Sequence, residues 1–402
     1  MKILVISQYF YPENFRINDL VLELKKRGHE IVVLTGKPNY PQGSYYKGYS
    51  FKGNEDECWN EIPIYRVPLR ARQTGAINLV RNYMSFVWNA IKRVKTLRDD
   101  YDLIYVFEVS PITVALPAIK LKKKKNIPII MNVQDLWPEN IIAITGINNS
   151  VINFFLDKLV NYIYRNTDLI LSASPAFIDK IQERVESKSK VKYWPQYSVV
   201  GKNNKFTNSI FDSQKFNIVF TGNIGEAQGL DIVVNSAKEL KNTNIIFHLV
   251  GDGRNKTYLE EDVKKYNLID KIIFYGQVTE TEIPKFLMSA DMALLILNPN
   301  PIFDMTLPAK LQTYLACGCP ILGCVQGVSK KIIDDNQLGL TTDNVTVQDF
   351  IKVCKNLTEY KNAIKIYSQN AIKYSNQNFN KTLLINQLEK YMEETYYESI
   401  RR

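Results

Sequence analysis

Short apolar runs alternate along this chain with stretches whose apolar residues recur every three to four positions. Lys2 to Ser7 (KILVIS) is too brief for a helix and reads as a strand. Pro12 and Asn14 mark a loop; Ile17, Leu20, Val21 and Leu24 then line one helical face, which Gly28 ends. Ile31 to Leu34 is a second strand. The pattern recurs with strands at Asp102–Phe107, Ile127–Asn132 and Leu169–Leu171, and helices at Pro111–Lys122 and Val151–Arg165. Between Tyr197 and Ser213 periodicity is lost and Asn, Lys and Ser accumulate, which places a domain boundary near residue 200. Alternation then resumes. Ile218-Val219-Phe220 is followed by glycine breaks at Gly222 and Gly225, and by helical spacing at Leu230, Val233, Val234, Ala237 and Leu240. Further strands are expected at Asn244–Val250, Lys271–Tyr275, Met292–Leu297 and Pro320–Gly323, with helices at Thr281–Ser289 and Pro308–Ala316.

Strands alternating with helices predict an α/β protein with parallel, doubly wound sheets, here in two domains, 1–200 and 201–379. In such sheets ligands bind beyond the carboxyl ends of the strands. The loops starting at Gln8, Thr35, Glu108, Val133 and Ser172 are therefore expected to share one rim. The glycine turn after Phe220 would aim backbone N–H groups at whatever lies above the helix N-terminus, where the macrodipole favours an anion. A second chemical stretch is LNPNPIFDMTLPAKLQTYLACGCPIL. Pro308 suits a helix start, and Lys310 follows within the first turn. A cation there opposes the helix dipole, so its placement points to an anionic ligand rather than to stability.

Composition changes this picture in one respect. The 402 residues carry 51 Lys+Arg against 41 Asp+Glu, a formal charge of +10, which suits an anionic partner. No nucleic-acid motif is present, so nucleic acid is not the expected partner. No apolar run has the length of a membrane span, and the opening strand lacks a signal-peptide cleavage site; a cytoplasmic location is expected. Five cysteines give no disulfide framework, and the Cys317, Cys319 and Cys324 cluster lacks further zinc ligands. The segment 70–98 shows a stripe of Ile77, Val80, Met84, Val87, Ile91 and Val94, widened by Leu79, Phe86, Ala90 and Leu97. Arg81, Lys92 and Arg93 lie opposite. With Phe86 and Trp88 at its borders, this helix is expected to dock on an anionic membrane surface.

Together these stretches resemble glycosyltransferase family 4, the retaining nucleotide-sugar enzymes of the GT-B fold, over nearly the whole chain. The resemblance rests on MKILVIS, PEN and RGHEIVVLTG at the start, and on FTGNIGEAQGLD and FHLVGDG in the middle. Towards the end it rests on IIFYGQV, EIPKFLMSADMALLIL and PAKLQTYLACGCPIL. PNYPQG, QDLWPEN, SASPAF and GNIGEAQG resemble more narrowly the branch that adds N-acetyl-L-fucosamine in capsule or O-antigen assembly.

The resemblance implies two Rossmann-like domains facing a central cleft, with helix 380–402 crossing back to the first. It implies a UDP-sugar donor on the second domain, at Gly222, Asn223, Gly225, Gln228, Gly276, Gln277, Val278, Met305, Thr306, Leu307, Pro308, Ala309 and Thr313. The acceptor, a lipid-linked (undecaprenyl diphosphate) saccharide, would meet Glu13, Asn14, Arg16, Tyr40, Glu108, Gln134 and Trp137. Catalytic roles fall to Lys310, Asp304 and Asp135, without a metal or other cofactor.

The chain departs from the family pattern at three places. Asn223 and Gln228 replace an Arg and Lys, Thr313 replaces the second of two glutamates whose first falls near Met305 with Asp304 one residue off register, and Gln134 replaces a histidine. A nucleotide-sugar 2-epimerase of the same architecture, or a non-catalytic membrane-surface scaffold, are the competing readings.

Overall fold

A computed structural model describes residues 1–401, apart from 54, 98–99, 146–148, 201–208 and 358–360. Residues 201–208 of the expected linker and Arg98 at the end of the expected docking helix lie outside the described residues. The chain forms two compact units, Met1–Trp194 with Ile385–Arg402, and Pro195–Leu384.

The first unit runs β1 (Lys2–Ser7), α1 (Arg16–Lys26), β2 (Glu30–Gly36), β3 (Glu55–Trp59), β4 (Ile62–Val67), α2 (Ala76–Val94) and β5 (Leu103–Glu108). It continues with α3 (Leu116–Lys125), β6 (Ile129–Val133), α4 (Glu139–Thr145), α5 (Ser150–Arg165), β7 (Leu169–Ser172), α6 (Phe177–Gln182) and β8 (Val191–Tyr193). The strands make one sheet in the order β3-β4-β2-β1-β5-β6-β7-β8, parallel except for β3 against β4. Strands β5 and β6 are buried throughout, as a sheet covered on both faces requires. The order turns at β1, flanked by β2 and β5, so the β1 and β5 loops open where connections leave in opposite directions.

The second unit begins with β9 (Phe216–Thr221), α7 (Asp231–Ala237), β10 (Ile245–Val250), α8 (Lys256–Lys265), β11 (Ile272–Gly276), α9 (Ile283–Ser289) and β12 (Met292–Ile296). Then come α10 (Pro301–Met305), α11 (Ala309–Ala316), β13 (Ile321–Cys324), α12 (Gly327–Asp335), β14 (Gly339–Thr341), α13 (Val347–Lys355) and α14 (Lys361–Asn378). Its six strands are all parallel, in the order β11-β10-β9-β12-β13-β14. Alternate residues of β9 feed opposite cores. Ile218 and Phe220 pack with α7 and α13 residues, whereas Val219 packs with Leu311, Tyr314 and Leu315 of α11.

The final helix, α15 (Lys381–Arg401), places its Ile385–Arg401 part in the first unit. There Glu389 accepts from Arg27 (2.6 Å) and pairs with His29 (3.0 Å), clasping α15 to the end of α1. This accounts for one of the two histidines as structural. The other, His248 on β10, lies against the Phe211 ring (centroids 3.8 Å) with Asn217 Oδ1 and Tyr275 Oη on its two nitrogens. Burial pulls its pKa down to about 4, so it is a neutral core residue.

The β3–β4 hairpin, α8, α10 and the elements α12 to α14 are additions to the sequence-based outline. One expectation is corrected here. Asp304 and Met305, expected in a loop, belong to α10, which Asn300 caps by accepting the Ile302 N–H (3.0 Å).

Candidate active site

Lys310 is the focus of the second unit. Pro308 is the N-cap of α11 rather than its first residue, so Lys310 stands second in the helix. One turn on, Tyr314 Oη accepts the Thr221 N–H (3.0 Å) and donates to the Thr221 carbonyl (3.2 Å), tying α11 to the carboxyl end of β9. Residues four apart share a helix face, so this bond also fixes Lys310 over the same strand end. Its Nζ lies 3.8 Å from the Phe220 ring centroid and is buried without a hydrogen-bond partner among the described residues. Burial draws its pKa from 10.5 down to about 7. Gly222 is packed on the lysine stem, for a Cβ there would stand 2.8 Å from Lys310 Cε. A buried amine with no carboxylate beside it, next to a helix N-terminus, is a site for an anion that supplies the missing partner.

The glycine turn differs from the expectation. The Gly222 N–H goes to the Val250 carbonyl (2.9 Å), that of Ile224 to Asp252 (2.8 Å), and that of Gly225 to Gln228 Oε1 (3.1 Å). Most amides proposed from the sequence to face phosphate are thus consumed within the protein, and the Asn223 N–H is the one left open among the described residues. Gln228 caps its own turn, with Asn223 Nδ2 also near its oxygen (3.4 Å). The two residues that replace the expected cations therefore hold the loop's shape. The amides without a partner among the described residues are instead those of Ala309 and Lys310, which begin α11 without a side-chain cap.

The remaining residues expected to meet the donor differ in their exposure. Gly276 (φ 70°) accepts the Gly251 N–H (2.8 Å), Gln277 is exposed and Val278 packs against the core. Asp304 is half-buried, and burial raises its pKa. Met305 and Thr306 are half-buried, with Thr306 Oγ1 bonded to the Ile302 carbonyl (2.7 Å), and Leu307 is buried. Thr313, in place of a glutamate, bonds back to the Ala309 carbonyl (3.4 Å).

The first unit gathers Asp135, Glu108, Trp137 and Gln134 where β5 and β6 end, and sequence reasoning missed their organiser, Ser110. Its Oγ donates to Asp135 Oδ2 (2.6 Å) and accepts from Trp137 Nε1 (3.1 Å) and Asn140 Nδ2 (3.0 Å), filling its hydrogen-bonding capacity. Glu108 is fully buried and accepts the Ser110 N–H (3.2 Å). Burial, and then the charge of Asp135, push its pKa well up; Asp135 is raised too, by burial. Trp137 is buried, and the Gln134 amide donates to Asn132 Oδ1 (2.6 Å). Glu108, Gln134 and Trp137 therefore build the wall behind Asp135.

Glu13 is likewise buried. It accepts the Asn39 (2.8 Å) and Tyr40 (2.7 Å) N–H groups and so joins two rim loops, while burial pushes its pKa up to about 7. Asn14 is exposed and Arg16 half-buried. Tyr40 presents its ring to Tyr9, Phe15 and the Arg72 guanidinium.

Helix α2 corrects the expected docking face. Phe86 is wholly buried, as are Leu79, Val87, Ala90 and Val94, because this side packs on the sheet. It cannot meet lipid. Asn82 lies on the same inward side, accepting from Gln8 Nε2 (2.7 Å). Arg93 is tied to Asp56 (2.8 Å) and stacked on Tyr65. The outward side holds Ile77, Val80, Met84 and Trp88 beside Arg81 and Lys92. Among the described residues no helix is long and apolar enough to cross a membrane.

Known proteins give the same outline. Residues 15–196 match the family model Glycosyltransferase Family 4, and residues 201–374 match Glycosyl transferases group 1. An Escherichia coli (strain K12) protein named as a colanic acid biosynthesis glycosyl transferase, WcaI, is 25% identical over 340 residues, 79% of this chain and 82% of that one. The Pseudomonas aeruginosa protein WbjE, named as a glycosyltransferase, is 24% identical over 223 residues, 52% of this chain and 54% of its own. Among solved structures, sucrose-phosphate synthase from Thermosynechococcus elongatus superposes with a TM-score of 0.74 at 14% identity, covering 99% of each chain. Anabaena HepE in complex with UDP-glucose gives 0.65 at 14% identity, covering 98% of this chain and 100% of that one. The protein is a glycosyltransferase with the GT-B fold. Within that class its first unit is similar to family 4, whose model matches residues 15–196.

Proposed function

We propose that this glycosyltransferase moves an N-acetylated deoxyamino sugar, N-acetyl-L-fucosamine, from UDP to a lipid-linked (undecaprenyl diphosphate) saccharide during capsule or O-antigen assembly. The observation that carries the reading is the buried, unpartnered Lys310 ammonium beside the α11 N-terminus. The similarity to a protein named for colanic acid biosynthesis supports a polysaccharide product, and the HepE complexes with UDP and UDP-glucose support the donor class.

In this reading the anomeric carbon keeps its configuration. The bond to the departing diphosphate breaks on the face where the acceptor oxygen attaches, and the acceptor proton passes to the departing phosphate oxygen. No protein base is required, in keeping with a neutral core His248 and with His29 held by Glu389. Lys310 and the open α11 amides stabilise the charge that grows on the phosphate. Asp304 attends the sugar, Asp135 orients the acceptor, and no metal takes part. The protein sits at the cytoplasmic membrane surface, with Arg81 and Lys92 of α2 towards anionic lipid.

A screen of UDP-sugars against a lipid-linked acceptor, with mass detection and with a chelator arm, tests this. Transfer from UDP-N-acetyl-L-fucosamine, undiminished by EDTA, is expected. Conversion of a UDP-N-acetyl sugar to its epimer without acceptor, and no transfer, would refute it.

A further inference from the structure

Helix α5 carries an apolar surface that the catalytic reading does not use. In its first two turns Val151, Ile152, Phe154 and Phe155 are 62%, 46%, 54% and 64% exposed. Residues 151, 154, 155 and 158 follow helical spacing, so three of these apolar side chains share a side with Lys158. The ammonium of Lys158 lies 4.3 Å from the Phe154 ring centroid. On α2, Ile77, Val80, Met84 and Trp88 are 71%, 54%, 54% and 66% exposed, and Lys92 Nζ lies 5.1 Å from the Trp88 ring.

These two patches belong to neighbouring elements. Helices α2 and α5 both pack on the short turn Ile112–Ala115 that leads into α3. Helix α3 packs on α2, and its Lys123 donates to Tyr162 of α5 (2.9 Å). Both helices lie on connections that leave the carboxyl ends of strands, α2 after β4 and α5 after β6 by way of α4.

The charge on this side of the sheet selects the partner. Helices α2 and α3 contain eight Lys or Arg and no Asp or Glu; Arg93 is paired with Asp56 and Lys122 with Asp168, which leaves six outside these two pairs. Lys120, Lys123 and Lys124 stand with Val94 and Leu121 around a shallow groove of about 400 Å³ between the two helices. Asp157, on α5, is spent on Arg184 (2.7 Å). Exposed aromatic and aliphatic side chains whose neighbouring lysines lie over their rings, without opposing carboxylates, match a surface of acyl chains under phosphate head groups. A protein partner would be expected to meet such a face with carboxylates, and a second copy of this chain would bring the same positive charge against it.

We infer that α5 is a second membrane anchor. Val151, Phe154 and Phe155 enter the bilayer interface alongside Ile77, Met84 and Trp88 of α2, and the α3 lysines between them meet anionic head groups. The inference rests on the lipid-linked acceptor proposed above. It adds that one helix does not suffice, because two anchors fix the tilt of the unit and hold the Asp135 rim at the height of a head group.

Co-sedimentation with phosphatidylglycerol-containing and with pure phosphatidylcholine vesicles tests this, with thermal melting as the check on folding. Wild type is expected to sediment with the anionic vesicles and to be released by salt. Phe154→Ser with Phe155→Ser should weaken that binding roughly tenfold or more, since two aromatic side chains that enter the bilayer are lost. The melting temperature and turnover on a short water-soluble acceptor should stay the same. Arg81→Glu with Lys92→Glu should weaken it independently. If only the α2 variant loses vesicle binding, the α5 anchor is refuted while the membrane reading stands. If neither variant loses it, both fall. If light scattering shows that the α5 variant converts a dimer to a monomer and vesicle binding is unchanged, the face is a contact between copies, and the inference is overturned.

Discussion

Lys310→Ala is expected to lower turnover by roughly 100-fold or more, the loss typical when a donor to developing transition-state charge is removed. The expectation follows from how few other cations attend that point. Asn223 and Gln228 are neutral and committed to the loop, and three of its amides are bonded within the protein. The lysine also has a pH signature. Its pKa is drawn to about 7 by burial, from 10.5 in a free side chain, so above pH 7 the empty site holds a neutral amine. A bound diphosphate restores the charge, and UDP binding should then take up a proton. Affinity should fall up to about tenfold per pH unit above 7 in wild type and stay level in Lys310→Met.

Stability carries the opposite sign. The unfolded chain holds this proton more tightly than the folded one, so the burial cost is full below pH 7 and fades towards pH 10.5. Lys310→Met should therefore melt higher than wild type near pH 6 and lose that advantage at pH 10. Calorimetric UDP titrations in buffers of different ionisation enthalpy, with melting curves, read both. Near-wild-type turnover in Lys310→Ala would remove the lysine from the mechanism.

Gly251→Ala is the second large effect, and it concerns shape. Gly251 has φ 146°, and a Cβ there would overlap the Gly222 carbonyl. The turns after β9 and β10 also share the Gly222–Val250 and Ile224–Asp252 bonds. A Cβ at Gly253 would overlap the Ile224 carbonyl in the same way. Forcing these turns apart should cost about 3 kcal/mol, the upper end for an overpacked site, and displace Gly222 from the stem of Lys310. Melting temperature and UDP affinity should both fall. Gly276→Ala is the comparison. Its φ of 70° also disfavours alanine, but only Lys256 Nζ, 3.9 Å away, would meet the new atom, so the backbone penalty of about 1–2 kcal/mol stands alone.

Much of the scaffold was legible because buried parallel strands such as β1 and β5 are short, unbroken apolar runs. The β3–β4 hairpin was not. Its turn residues Asn60 and Glu61 take φ of 49° and 60° without a glycine to signal it, and Pro63 breaks the look of a strand. Periodicity identified α2 but not which of its two apolar sides faces inward. Packing on the sheet decided that, placing Phe86 in the core and leaving Met84 and Trp88 outside.

Lys310 could be found from sequence because a cation in a first helical turn is locally unfavourable. The capping role of Gln228 and the hub at Ser110 could not. Each depends on atoms that only the fold brings together, Gly225 N–H in one case and Asp135, Trp137 and Asn140 in the other. The spacing over Val151 to Arg165 predicts a helix but not the exposure of its first turns, since exposure is a property of what packs nearby.

The central claim is retaining transfer from a UDP-sugar, and proton NMR of the purified product tests it most directly. After incubation with UDP-N-acetyl-L-fucosamine and a lipid-linked saccharide, the new linkage should show the donor's anomeric configuration, with one UDP released per sugar transferred. A product of inverted configuration, or UDP released with no new linkage, would contradict it.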